Sequence, residues 1–176
     1  VPTAGTRTVT GAVALITDVT LTTANSNGSF LSTVDGDGTA RDFIIDTNGK
    51  TGTILFDGDV GNSNVHAATT HTGNPNLDAA ISNTTSISVS GTSNLGANVT
   101  TSGTQTYNGA VTLSTDVTLT TTNSNVSFLS TVDGDGTARD LIIDTNGNTG
   151  TILFDGLAGN SNDLDAITIT GNLDID

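Results

Sequence analysis

The chain repeats itself with a period of 98 residues. The segment GAVALITDVTLTTANSNGSFLSTVDGDGTARDFIIDTNGKTGTILFDG, residues 11–58, returns with few changes at residues 109–156. About three-quarters of the 78 comparable positions are identical. We therefore divide the sequence into repeat unit 1, residues 1–98, and an incomplete repeat unit 2, residues 99–176, which suggests a piece of a longer repetitive polymer. Any site in the shared part should occur twice, which favours a structural array over a catalyst.

Composition excludes helix over most of the chain. All 18 acidic residues are aspartate, there is one lysine, and methionine, glutamate and tryptophan are absent. Good helix formers are therefore scarce. Threonine is abundant and favours strands, while glycine, asparagine and aspartate favour bends. The sequence predicts an all-β protein.

Charge restricts the possible partners and location. The formal net charge of -14 repels phosphate backbones and anionic lipid, so we expect no binding to nucleic acid. No apolar run approaches the roughly 20 residues that span a bilayer, so we expect no membrane insertion in this segment. An acidic chain without cysteine, rich in threonine and asparagine, is typical of an extracellular or bacterial cell-surface protein. The first residue is valine, so we expect that translation begins upstream of it.

Short strand-like segments lie between the bends. Residues 19–22 and 86–90 alternate apolar and polar side chains, as strands with one buried face do. Two runs are apolar at three successive positions: residues 43–45 and 54–56, repeated at 141–143 and 152–154. Successive strand residues point to opposite faces. We therefore expect these runs to be covered on both sides, by another layer or another chain.

Two all-β architectures fit this pattern. A β-solenoid would divide each repeat into four or five coils of about 20 to 25 residues. The alternative is one immunoglobulin-like β-sandwich of about 100 residues per repeat, in tandem. The sandwich is favoured by the period and by a hairpin that Asn48 and Gly49 could close. The solenoid is favoured by few aromatics and by many Thr, Asn and Asp residues. The GNSN segments at 61–64 and 159–162 are interpreted as turns, and in a solenoid their asparagines could alternatively form amide ladders between coils.

One segment adds a family resemblance. TSGTQTYNGAVTLSTDVTLTTTNSNVSF, Thr101–Phe128, resembles a stretch common in filamentous-haemagglutinin-like adhesins and related giant bacterial surface proteins with β-strand repeats. GTQTYNG, residues 103–109, is its most distinctive part, and repeat unit 1 departs from it there with GTRTVTG. The resemblance implies a right-handed parallel β-helix and a role in surface adhesion or scaffolding.

The sequence STVDGDGTARD, at 32–42 and again at 130–140, is the main candidate site. Closely spaced aspartates supply the oxygen ligands that calcium prefers, so Ca²⁺ ligands are one interpretation. The six aspartates are Asp35, Asp37, Asp42, Asp133, Asp135 and Asp140. The loop lacks the further ligands and the final glutamate of an EF-hand, and Arg41 can neutralise a carboxylate. The other interpretation, which the sequence favours, is a glycine-permitted bend with aspartates accepting backbone N–H groups.

His66 and His71 occur in repeat unit 1 only and are replaced by Leu164 and Ile169 in unit 2. We interpret them as tolerated surface substitutions rather than as a metal pair. Their segment is the most divergent part of the repeat, so we expect an exposed loop or a variable coil.

The function predicted from the sequence is structural. There is no cysteine nucleophile, no catalytic triad that both units could assemble and no phosphate loop, so we expect no enzyme activity. We expect a segment of a bacterial surface adhesin, exoprotein stalk or filament whose partners are neighbouring repeats or copies of itself. The alternative is a calcium-stabilised tandem sandwich module that binds a glycan or a receptor on a host or cell surface.

Overall fold

The computed structural model describes residues 5–48, 51–147 and 149–176. Within these ranges the chain forms 21 β-strands and no helix, so it offers no helix able to cross a membrane. Every strand ladder in these ranges is parallel, and paired residues of adjacent strands lie 17 to 26 residues apart in sequence. For example, Ser93 pairs with Val111, and Gly28 pairs with Ile54.

These ladders make a parallel β-solenoid of about 8 turns, as the sequence predicted. Each turn runs along three faces, which we name A, B and C. Face A contains β1 (Arg7–Val9), β4 (Gly28–Phe30), β7 (Thr53–Phe56), β9 (Asn74–Leu77), β11 (Ser93–Leu95), β14 (Val111–Leu113) and β17 (Val132–Gly134).

The other two faces are joined by the longest strand. Face B contains β2 (Val13–Leu15), β5 (Val34–Gly36), the single bridge residue Val60, the start of β10 (Ile81–Val89), β12 (Val99–Thr101), β15 (Val117–Thr120), β18 (Arg139–Asp144) and β20 (Leu164–Thr170). Face C contains β3 (Val19–Thr22), β6 (Arg41–Asp46), β8 (His66–Thr72), the end of β10, β13 (Gln105–Tyr107), β16 (Val126–Phe128), β19 (Thr151–Phe154) and β21 (Asn172–Ile175).

The tandem sandwich alternative is wrong, because sandwiches are built from antiparallel strands. The hairpin expected between the two apolar runs does not form either. The first run lies in β6 on face C and pairs with β3 and β8, whereas the second lies in β7 on face A and pairs with β4 and β9. Asn48 takes a left-handed conformation, with φ of 50°, at the corner between these faces. Gly49 lies outside the described residues.

The core is built from columns of inward-pointing side chains, one from each turn. Parallel pairing places like residues above one another, so the rings of Tyr107, Phe128 and Phe154 stack with centroids 5.3 and 5.0 Å apart. Phe30 and Phe56 stack in the same way at 5.2 Å. Burying these rings out of water contributes a large share of the stability of the fold.

Within the described ranges no second layer of this chain covers the apolar runs on their outer side, so that part of the expectation is wrong, and coverage by another chain stays a prediction. Phe43 and Ile45 are buried in the core, but Ile44 between them points outward and is partly exposed. In the second unit Ile142 is likewise 41% exposed. One side of each strand packs inside the coil, and the other side is the outer surface of the solenoid.

The sequence repeat and the three faces are out of step. Val13 lies on face B, but its copy Val111 pairs with Ser93 and lies on face A. Fourteen face positions separate β1 on face A from its copy β13 on face C. Because fourteen is not a multiple of three, each repeat advances by four and two-thirds turns. At about 4.8 Å per turn, a residue and its copy are roughly 22 Å apart along the axis and lie on different faces.

Candidate functional site

The two copies of the acidic loop form corners of the solenoid, which we name the acidic corners. Residues 37–40 join β5 to β6 between faces B and C, and residues 135–138 join β17 to β18 between faces A and B. The two corners have the same sequence but point in different directions around the axis, because the repeat is out of step with the faces.

Two glycines allow each corner to form. A Cβ on Gly36 would lie 2.8 Å from the carbonyl oxygen of Val65 in the next turn, so only glycine lets these coils approach so closely. Gly38 has φ of +94°, a conformation that side chains with a Cβ rarely adopt. Both constraints recur in the second copy at Gly134 and Gly136.

At the tip of each corner an aspartate binds an arginine. The Asp37 carboxylate accepts hydrogen bonds from Nε and Nη2 of Arg41, at 3.3 and 3.0 Å, and from the Thr39 N–H at 3.0 Å. Asp135 accepts the same set from Arg139 and Thr137, at 2.9 to 3.1 Å. Arg139, and then the Thr137 N–H, lower the pKa of Asp135 to about 2, and the pKa of Asp37 is lowered for the same reasons. The Asp135 carboxylate therefore remains ionised through most of the acidic range.

Asp35, the first aspartate of the loop, connects neighbouring turns. Asp35 accepts the backbone N–H groups of Ser63 and Asn64 in the following turn, with its Oδ1 at 3.1 and 3.0 Å. Asp133 does the same with Ser161 and Asn162, at 2.9 and 3.5 Å. These N–H groups lie in the two GNSN segments. The carboxylate thus satisfies donors that a tight corner leaves without a backbone partner.

Asp42, the third aspartate of the loop, is hydrogen-bonded to the turns before and after its own. The Asp42 N–H donates to Asp18 Oδ1 at 3.1 Å, and Asp42 Oδ1 accepts the N–H of Ala68 at 3.0 Å. In the second copy the Asp140 N–H donates to Asp116 at 3.1 Å. The Oδ1 atom of Asp140, however, is buried without a hydrogen-bond partner.

A wider set of corner acceptors of the same kind was not predicted from the sequence. Asparagine side chains accept backbone N–H groups from the following turn, at 2.8 to 3.0 Å, in the pairs Asn27–Thr53, Asn74–Thr92, Asn98–Thr118 and Asn125–Thr151. An amide–amide bond between coils occurs at Asn94 and Asn76 on face A. Asn64 of the first GNSN segment acts differently, because its backbone N–H donates a hydrogen bond to Asp35. The recurrence of Asn27 as Asn125 at the repeat spacing could have identified this role.

The interpretation of His66 and His71 as surface residues is wrong, since both lie in β8 and are 0% and 1% exposed. His66 Nε2 lies 3.2 Å from the Val34 carbonyl oxygen, and His71 packs edge-on against Phe56 at 5.3 Å. Burial lowers the pKa of both, that of His71 to about 4. Their divergent segment is therefore core strand rather than an exposed loop.

No three histidine, cysteine, aspartate or glutamate side chains converge as metal ligands among the described residues. The two histidines are five positions apart along one strand, about 16 Å, too far to share an ion. Most of the aspartates proposed as calcium ligands hold protein donors. Calcium binding by Asp35, Asp37, Asp42, Asp133, Asp135 and Asp140 stays a prediction that the structure does not test.

Comparison with protein-family models, with curated proteins and with solved structures found no significant match. The resemblance to the adhesins therefore stays a prediction from the sequence.

Proposed function

We propose that this chain is a structural element, a stiff rod segment of an extracellular bacterial adhesin, exoprotein stalk or filament. The observation that carries the proposal is the unbroken parallel stack that crosses both repeat units. β10 of unit 1 pairs with β12 and β13, so hydrogen bonds run through the boundary between the units. A stack joined in this way resists bending more than domains on flexible linkers.

The corners support the same role. Their carboxylates and amides bind backbone N–H groups of the following turn, so the residues that look most like a site hold one coil to the next. The same sequence on different faces lets a longer array present its acidic corners in three directions around the axis. A rod that offers equivalent surfaces all round suits lateral contacts or surface display.

Location and role can be tested separately. Antibodies raised against the acidic corner should label intact producing cells or their shed filaments without permeabilisation. Labelling only after permeabilisation would contradict an extracellular role.

Turnover of neutral and acidic polysaccharides by the purified chain should be undetectable. Turnover that is lost when both Asp35 and Asp133 are changed to alanine, in a chain that still folds, would contradict a purely structural role.

A further inference from the structure

The sequence contains four asparagines that are followed directly by glycine: Asn27, Asn48, Asn108 and Asn146. In such a pair the backbone nitrogen of the glycine can attack the asparagine side chain, because no Cβ hinders its approach. The reaction requires a side-chain amide that is free to turn, a following N–H without a hydrogen-bond partner, and access for water. The residue after Asn48 lies outside the described residues, so the structure allows three of the pairs to be compared.

Two of the three pairs are held by the neighbouring turn. Asn27 Oδ1 accepts the N–H of Thr53 at 3.0 Å, and Gly28 is buried at the start of β4. Asn108 Nδ2 donates to the carbonyl oxygen of Val89 at 2.7 Å, and the Asn108 N–H donates to the same oxygen at 2.9 Å. Reaction at either asparagine must therefore wait for local unfolding of the turn.

The third pair lies in the exposed corner between β18 and β19. The Asn146 N–H donates to Asp144 Oδ1 at 2.8 Å, and Asn146 has φ of 51°. Among the described residues no hydrogen bond holds the Asn146 side chain or the Gly147 N–H. Packing also requires a glycine here, because the Asn123 side chain lies where a Cβ on residue 147 would be. The corner therefore contains the reactive pair and leaves its reacting groups free.

We propose that Asn146 is a site of spontaneous covalent modification, at which the side-chain amide is converted to a carboxylate. The Gly147 nitrogen attacks the side-chain carbonyl carbon of Asn146 and forms a C–N bond. The amide nitrogen leaves as ammonia and carries away the proton of the Gly147 N–H. The resulting succinimide adds water at one of its two carbonyls and gives aspartate or isoaspartate. The proposal does not depend on the role of the chain as a rod.

The corner can accept either product. Aspartate adds a carboxylate at an exposed position, and isoaspartate adds one backbone atom between residues 146 and 147. Corner lengths already differ in this solenoid, since one residue joins β8 to β9 and six residues join β18 to β19. At Asn108, by contrast, the product would lose the donor to Val89 and place a carboxylate beside a carbonyl oxygen.

Incubation of the full chain at mildly alkaline pH, followed by brief digestion with chymotrypsin, tests the proposal. Cleavage after aromatic residues places Asn27, Asn108 and Asn146 on different peptides. Mass spectrometry should show Asn146 converted to aspartate and isoaspartate at least about tenfold faster than either of the others. In the urea-unfolded chain the three rates should agree within about threefold, because no neighbouring turn holds the amides. Equal rates in the folded chain, or no conversion of Asn146 while the unfolded chain reacts, would overturn the proposal.

Two variants test whether the fold leaves the Asn146 side chain free. Asn146→Asp and Asn108→Asp each carry one product of the reaction. Asn146→Asp should leave Tm within about 2 °C of the unmodified chain, whereas Asn108→Asp should lower it by several degrees, because it loses a hydrogen bond to the preceding turn. A fall in Tm for Asn146→Asp as large as that for Asn108→Asp would mean that the corner holds this side chain, and the proposal would be overturned.

Discussion

At the residue scale, His71 shows how a polar side chain can belong to a core column. It lies between Ile45 and Val89, and both of its ring nitrogens are buried without hydrogen-bond partners. The copy of His71 is Ile169, so the repeat itself supplies the matched apolar replacement. Apolar residues at the copy positions of both histidines are a signal of burial, and the interpretation as tolerated surface substitutions overlooked it.

We predict that His71→Ile removes part of the acid sensitivity of the fold. Burial lowers the pKa of His71 to about 4, below its ordinary value of 6.5, so between these values the unfolded chain binds a proton that the folded chain does not. The free energy of unfolding therefore falls as the pH drops through this window and levels off below it. The histidine contributes on the order of 3 kcal/mol to this loss. Urea unfolding of both proteins at pH 7, 5.5 and 4 should show a growing advantage for the variant. A constant difference would contradict the burial of His71.

The acidic corner offers a second comparison between single residues. Asp35→Ala should lower the free energy of unfolding by about 1–3 kcal/mol, because the N–H groups of Ser63 and Asn64 lose a charged acceptor. Arg41→Ala removes an exposed ion pair within one corner and should change the free energy of unfolding little. Urea denaturation at neutral pH measures both. A larger effect for Arg41→Ala would mean that the corner tip, and not the link between turns, stabilises the fold.

At the scale of the element, the corner explains why the aspartates occur in this pattern. Two glycines set the bend, one carboxylate binds an arginine and another binds the next turn.

The interpretation as a bend predicts that millimolar CaCl₂ and NaCl of equal ionic strength shift Tm equally, through screening of the net charge. A greater rise in calcium, lost when Asp37 and Asp135 are both changed to asparagine, would show that calcium binds at the corner.

The residues were sufficient to predict short strands and bends but not how the strands are arranged around an axis. Alternation in residues 86–90 and bends rich in glycine and aspartate fitted a sandwich as well as a solenoid, and the resemblance of Thr101–Phe128 to surface adhesins favoured the parallel solenoid. The hairpin at Asn48 was wrong because a left-handed asparagine followed by glycine suits a solenoid corner as well as a β-turn. The role of Asp35 as a link between turns depends on Ser63, 28 residues away, which local patterns do not reveal.

At the scale of the whole molecule, the repeat and the coil have different periods. Individual turns range from 17 to 26 residues, so the sequence period could not fix the number of turns per repeat. Because each repeat makes four and two-thirds turns, every residue of unit 2 lies one face away from its copy in unit 1. Three repeats, fourteen turns and roughly 67 Å along the axis, would return a residue to its original face in a longer array.

Disulfide mapping tests this rotation most directly, because the chain has no cysteine of its own. Asn94 pairs with Thr112 on face A, and Ser88 pairs with Thr106 on face C, all at outward positions on adjacent strands. The strand spacing matches the Cα separation of a disulfide. Asn94→Cys/Thr112→Cys and Ser88→Cys/Thr106→Cys should each cross-link on mild oxidation, as read by mass spectrometry, whereas Asn94→Cys/Thr106→Cys should not. If the third pair cross-links and the first two do not, the repeat units stack in step with the faces and the arrangement described here is wrong.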